Sequence, residues 1–295
     1  MQLLCADVGA ILRRVLVLSG FRRGTLRFAH GARMDWLQLG CGSLSAVVVP
    51  GAGDGLWTIG RSTMQMVWRY RQRFWSHRLL ILGRREPIPS GFGVEDHADD
   101  YLHAVERLGW GPSVWECISA GGPIGQCVAR LRPDIVRGLI LASTAHRLDL
   151  TAMSLLDTWR DLVHAQRWAE LYWSVVASNR RPATVARYRP LRLLLRLLPP
   201  PRNPQRFLHL LDGLAKFDNS AILPDIACST LVVGGEQDSI ISTDLQRAMA
   251  RLIPNSRLVL YAGYGHAAPV EHPGYEGLTR RFMEEVLRDP ITARA

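Results

Sequence analysis

From Leu37 onward, short apolar runs alternate with longer stretches in which apolar residues recur every three or four positions. This is the pattern of βαβ units around a mainly parallel sheet. Ser45-Ala-Val-Val-Val-Pro50 reads as a buried strand that ends in the glycine-rich turn Gly51-Ala-Gly-Asp-Gly55. Arg78-Leu-Leu-Ile-Leu-Gly83 is a second strand, followed by a helix from Val94 to Leu108 whose start carries Glu95 and Asp96, where a carboxylate suits the helix dipole. Ser113 to Ile118 and Val136 to Ala142 are two further strands, separated by a small-residue and apolar helix from Gly121 to Leu131. Thr230 to Gly235 and Arg257 to Tyr261 supply two more, with helices over about Thr243 to Leu252 and Tyr275 to Leu287. Between Ala145 and Leu223 the strand rhythm stops and helical periodicity takes over, broken at Pro182, Pro190 and Pro199-Pro-Pro201. That stretch predicts a helical insertion, with the α/β core on either side of it.

Composition narrows the class. At 295 residues, with 47% hydrophobic and 21% charged positions, the chain can bury one large core. The net charge of +10 invites a nucleic-acid reading. Lys216 is the sole lysine, however, so the charge reads as a bias toward arginine rather than as selection for phosphate contacts, and no nucleic-acid partner is expected. The five cysteines, Cys5, Cys41, Cys117, Cys127 and Cys228, show no metal-ligand spacing and read as free thiols in a reducing compartment. In the N-terminal apolar run Gly9 to Gly20, Asp7, Arg13 and Arg14 prevent a reading as a membrane span or a signal peptide. The expectation is a cytoplasmic protein without integral membrane association, with homo-oligomerisation left open. Residues 1–33 are read as an N-terminal extension, a short helix or an extra strand packed on the domain.

Candidate chemistry centres on Cys117-Ile-Ser-Ala-Gly121, a small-x-Ser-x-small pattern between a strand and a helix. A serine presented on so sharp a turn needs small neighbours two residues away on either side. Gly51 to Gly55 lacks the G-x-x-x-x-G-K-[ST] spacing of a phosphate loop, so nucleotide binding is not expected.

With these residues the chain resembles the α/β-hydrolase superfamily from about Leu37 to Leu287. The resemblance implies a mostly parallel eight-stranded sheet flanked by helices, residues 34–146 and 224–295 forming the core and 147–223 a helical cap or lid. It also implies a triad in the chain order serine, acid, histidine. Ser119 is then the nucleophile. The acid falls in Gly234-Gly-Glu-Gln-Asp238, where Asp238 is favoured over Glu236 and over Asp244 at the start of the next helix. The base is His266, in Gly263-Tyr-Gly-His266 ahead of Glu271-His-Pro273; His97, His103, His164 and His272 are read as surface or core residues. The oxyanion donors implied are the backbone amides of Ala52 and Ala120. Two family features differ. Pro50-Gly51 stands where His-Gly is common, and Gly83-Arg-Arg-Glu86 where Asp-x-Arg-Gly is frequent, leaving Arg84 or Arg85 to brace the turns.

From Leu171 to Leu211 the insertion carries eight arginines and no acidic residue, interleaved with leucines. The favoured expectation is a cap helix with its leucines on the pocket and its arginines in solvent; the alternative is an amphipathic lid that meets apolar or anionic substrates or lipid. Trp159, Trp168 and Trp173 are expected to line an apolar pocket. Together these readings indicate a carboxylesterase-like serine hydrolase (class EC 3.1.1) that needs no cofactor or metal and cleaves small to medium apolar acyl esters through an acyl-enzyme. Acyl transfer, carbon–carbon bond hydrolysis and a non-catalytic ligand-binding member are the alternatives, because the fold does not select the reaction. Dehalogenation is disfavoured because it would need an aspartate where Ser119 stands.

Overall fold

The computed structural model describes residues 20–28 and 31–288. The apolar runs become strands of one eight-stranded sheet: β1 (Arg22–Arg27), β2 (Arg33–Leu39), β3 (Leu44–Val49), β4 (His77–Leu82), β5 (Ser113–Ile118), β6 (Val136–Ala142), β7 (Thr230–Gly235) and β8 (Ser256–Tyr261). Their order is β1-β2-β4-β3-β5-β6-β7-β8. β2 runs antiparallel to both of its neighbours, and every other pair is parallel. The expected mostly parallel eight-stranded α/β sheet is therefore present.

Within the stretch read as an extension up to residue 33, the described part holds an extra strand, one of the two forms expected for it: β1 is hydrogen-bonded to β2 at the sheet edge with Thr25 opposite Asp35, and the Thr25 hydroxyl donates to the Asp35 carboxylate at 2.8 Å. Arg22, Arg23 and Arg27 make this strand look like solvated chain, yet charge is what an edge strand carries to discourage pairing with other molecules. The apolar run Gly9 to Gly20 lies, but for its last residue, outside the described residues.

Alternate side chains of each strand face opposite layers, as the two-residue period of a strand requires. Val47, Val49, Leu80, Leu82, Trp115, Cys117, Leu139 and Leu141 pack with α3 (Val94–Arg107) and α4 (Gly122–Leu131) on one face, following the short α1 (Gly53–Leu56) and α2 (Thr63–Tyr70). On the other face Ala46, Val48, Leu79, Ile81, Val114, Ile140, Leu231 and Val233 meet α2 and the terminal helix Tyr275–Arg288.

Between β6 and β7 lie α5 (Leu150–His164), α6 (Trp168–Asn179), α7 (Pro182–Tyr188), a 3₁₀ segment (Arg189–Leu197) and α8 (Pro204–Leu214). The chain enters and leaves this insertion at one place: Arg147 and Asp218 form an isolated antiparallel backbone bridge, and the Asn219 amide donates to the His146 carbonyl at 2.8 Å. A third apolar cluster joins Leu156, Trp159 and Phe207 of the insertion to Leu56, Ala120 and Ile240 at the carboxyl ends of the strands. After β7 come α9 (Thr243–Leu252), β8, α10 (Ala268–Glu271) and α11 (Tyr275–Arg288).

One buried ion pair braces the strand that carries Ser119. Glu116 of β5 is fully buried; both its oxygens bond the buried Arg73 guanidinium, and Oε1 also accepts from the Tyr275 hydroxyl at 2.8 Å. Arg73 also pairs with Glu276, so the network ties the turn after α2 to α11 across β5. Burial pushes the Glu116 carboxyl up, but the Arg73 guanidinium outweighs it and holds the group below the ordinary carboxylate range. Such a carboxylate stabilises the fold above the ordinary carboxylate range, and that contribution is lost as pH falls through its lowered folded value. Glu116→Ala leaves a buried arginine with one partner fewer and is expected to cost about 3–5 kcal/mol, read as a lower urea midpoint at neutral pH. The gap between variant and parent should shrink in acid.

Candidate active site

Ser119 stands where β5 breaks into helix, with a positive φ of 51°. For a residue with a β-carbon that conformation is sparsely populated and is held by its surroundings. The neighbours allow the reversal. A β-carbon on Gly121 would lie 2.4 Å from the Val49 carbonyl oxygen, so only glycine fits there. Cys117, standing where glycine is commoner, is accommodated because Gly125 of α4 leaves room: a β-carbon at 125 would fall 2.2 Å from its sulfur. Burial raises the Cys117 thiol well above the ordinary thiol range, which makes it a packing residue rather than a nucleophile.

The loops after β7 and β8 bring the other two side chains to this serine. His266 Nε2 lies 2.9 Å from Ser119 Oγ, and its Nδ1 lies 2.9 and 3.1 Å from the two oxygens of Asp238. Asp238 Oδ1 also accepts the backbone N–H groups of Ile240 and Ile241, each at 2.9 Å, so its orientation is set by its own loop. Both side chains are nearly inaccessible to solvent. The alternatives lie elsewhere: Glu236 is exposed and Asp244 is in the first turn of α9. His272 stacks on Tyr261, His97 is buried against Phe92, His103 sits by Phe28, and His164 is in the last turn of α5.

Ala52 and Ala120 border the same cavity as Ser119. The carbonyl ends of their peptide planes are clamped. The Arg84 guanidinium donates to the carbonyl of Gly51 at 2.9 Å, and the Thr144 hydroxyl to that of Ser119 at 2.8 Å. Because a trans peptide places C=O and the following N–H on opposite sides, the amides of Ala52 and Ala120 point away from Arg84 and Thr144 respectively. Arg84 donates as well to the carbonyls of Pro50 and Ala120, at 2.9 and 3.1 Å, so one buried side chain links both turns. Of the two candidate bracing arginines, this one holds the turns; Arg85 pairs with Asp100 instead.

Sequence reasoning missed two partners. Asp54 accepts the Arg84 amide at 2.8 Å and the guanidinium of Arg206 at 2.9 Å. Arg206 comes from α8 and is buried, so the insertion is anchored to the glycine-rich turn. A lone acid inside a glycine-rich turn was the available signal for Asp54; nothing local marks Arg206 among the other arginines of its segment.

The cavity measures about 310 Å³ and is largely apolar, with Leu56, Ile118, Leu156, Trp159, Phe207 and Ile241 among its walls. Trp159 is where the sequence placed it. Trp168 and Trp173 are not on the wall: Trp168 shares the helix face of Val175 and Asn179 but stands at the start of α6, about two to three turns before the part that borders the cavity, and Trp173 lies roughly 110° round the helix from that face. The leucines of 191–198 are also absent from the lining; they point outward, contrary to the favoured expectation for the insertion. Among the described residues no group of three or more His, Cys, Asp or Glu side chains has the arrangement of a metal site.

The alpha/beta hydrolase family model matches residues 46–276, and the chain belongs to that family. It is 29% identical over 278 residues to the polyketide synthase ThaQ of Burkholderia thailandensis, covering 89% of this chain but only 13% of ThaQ. RutD of Klebsiella pneumoniae, named as a proposed carbamate hydrolase, is 25% identical over 82% of this chain and 88% of its own length. Among solved structures, the fold is shared with MGS-M2, an α/β hydrolase enzyme from a Medee basin deep-sea metagenome library (TM-score 0.76, 17% identity, 90% of this chain and 98% of that one). It is shared too with a thermophilic esterase from Thermogutta terrifontis (TM-score 0.72, 22% identity, 90% and 99% covered).

Two substitutions test this geometry against hydrolysis of p-nitrophenyl acetate. In Asp238→Asn, the side-chain oxygen still suits the two backbone donors and the amide NH₂ then faces His266, forcing the tautomer that cannot accept the serine proton; kcat should fall about 10⁴-fold. Arg84→Met frees both turns, and a displacement of the amides by about 1 Å should lower kcat about 10²-fold with a smaller change in KM.

Proposed function

We propose that the protein is a serine hydrolase that cleaves carboxylic esters of small to medium apolar acyl groups through an acyl-enzyme. The observation that carries this reading is the continuous Ser119–His266–Asp238 array, with both links at 2.9 Å beside an apolar cavity. In this mechanism the Ser119 hydroxyl donates its proton to His266 Nε2 as Oγ attacks the ester carbonyl. Asp238 fixes the imidazole tautomer and stabilises the imidazolium that forms. The developing oxyanion receives the amides of Ala52 and Ala120, each contributing about 3 kcal/mol by the usual worth of such donors. His266 then protonates the leaving alcohol, and water, deprotonated by the same imidazole, releases the acid.

The helices between β6 and β7 act as the cap in this reading. They supply the apolar wall that selects the acyl group, and the family membership supports hydrolysis as the reaction class. The likeness to part of a polyketide synthase favours one second reading, in which the acyl group passes from Ser119 to an alcohol or amine instead of water. The free thiols of Cys41, Cys117, Cys127 and Cys228 support a reducing, cytoplasmic setting; among the described residues no helix is long and apolar enough to cross a membrane.

A fluorophosphonate probe should label the protein at Ser119, with Ser119→Ala unlabelled and its kcat for p-nitrophenyl esters down by at least about 10⁴-fold. Rates across a chain-length series should peak at short to medium acyl groups. Retained activity in Ser119→Ala, or turnover confined to charged or peptide substrates, would contradict the assignment.

A further inference from the structure

The insertion has an outer face that the proposed chemistry does not use. In the 3₁₀ segment Arg189–Leu197, residues three apart stand in line, so Leu191, Leu194 and Leu197 form a single ridge. With Leu193 and Leu198 beside them, these side chains are 44–79% exposed, a contiguous apolar strip that a soluble monomer does not usually leave bare. Arg187, Arg189, Arg192 and Arg196 lie within the ridge segment or just before it and are exposed, and among the described residues none of them has a carboxylate in ion-pair range. A preference for arginine over lysine does not produce this feature, because it would exchange one cation for another without removing every acid from Leu171 to Leu211. Of the eight arginines in that stretch, Arg180 and Arg181 pair with Glu271 and Arg206 with Asp54, and the others keep their charge in solvent.

We infer that this ridge docks on an anionic lipid surface, the leucines entering the boundary between headgroups and acyl chains and the arginines meeting lipid phosphates. Charge complementarity favours lipid over a protein partner. A protein interface mixes both signs and hydrogen-bond acceptors in its rim, whereas this rim is uniformly cationic around a projecting apolar ridge, as in interfacial amphipathic segments. The segment packs on α6, whose Val175, Val176 and Asn179 line the cavity, so docking sets the roof of the cavity against the lipid. The inference is independent of the reaction at Ser119.

The test is co-sedimentation of the full chain with sucrose-loaded vesicles of phosphatidylcholine alone or of phosphatidylcholine with phosphatidylglycerol. Binding should be confined to the anionic vesicles and should weaken as salt is raised. The triple variant Arg189→Gln, Arg192→Gln, Arg196→Gln should bind about a hundredfold more weakly. The triple variant Leu191→Ser, Leu194→Ser, Leu197→Ser should lose binding while keeping its circular dichroism spectrum and Tm, since none of these side chains is buried. Ser119→Ala should bind as the parent does, which separates failure of this inference from failure of the hydrolase reading. Equal binding to neutral vesicles, no binding, or binding unchanged in both triple variants would overturn it. So would a dimer, or a complex with an acidic protein, that the leucine variant abolishes while the parent ignores anionic vesicles.

Discussion

The Arg84 guanidinium holds together the two chain reversals on which the site is built. Its donors reach Pro50 and Gly51 after β3 and Ala120 after β5, so the glycine-rich turn and the serine turn cannot shift independently. A buried guanidinium is costly to desolvate, and Asp54 supplies the opposing carboxylate. The same carboxylate also takes Arg206 from the insertion. The strained backbone of Ser119 persists because the sheet on one side and this cluster on the other leave it no alternative.

That arrangement joins the insertion to the core at the position where the proposed chemistry needs rigidity, and Arg180 and Arg181, both paired with Glu271, tie a second part of it down. Arg206 and Phe207 of α8 are buried against α1, whereas the 3₁₀ segment between α7 and α8 faces solvent with its leucines uncovered. One insertion therefore has an inner wall that shapes an apolar cavity and an outer ridge with the chemistry of an interface. Arginine serves both ends for different reasons: buried at 206 it satisfies carbonyls and a carboxylate in fixed directions, and exposed at 189, 192 and 196 it is a bare charge.

Much of this was legible before any coordinates. Strands buried on both faces must be continuous apolar runs, so β3 to β7 stand out, the half-buried edge strand β8 shows through its Leu258-Val-Leu260 run, and Ser119, Asp238 and His266 each follow such a run within a few residues. β1 and β2 were harder, because a charged edge strand and one interrupted by Asp35 have neither a clean run nor a clean alternation. The tryptophans show the limit of composition. Trp159, Trp168 and Trp173 are equally bulky, and only their places along and around their helices select the first for the cavity wall.

From local pattern, then, came six of the strands, the helical insertion and the serine turn, because burial leaves a periodic trace in the chain and turns demand particular residue types; the eight-stranded sheet and the order of the three candidate residues came from the resemblance those patterns carried. Tertiary structure decided which arginine braces the turns, which carboxylate faces His266 and which way the leucines of the insertion point. Those outcomes depend on directions between segments far apart in the chain, 28 residues for Asp238 and His266 and 33 to 36 for Arg84 and the turns it holds, and hydrophobic periodicity carries no information about direction across such a distance.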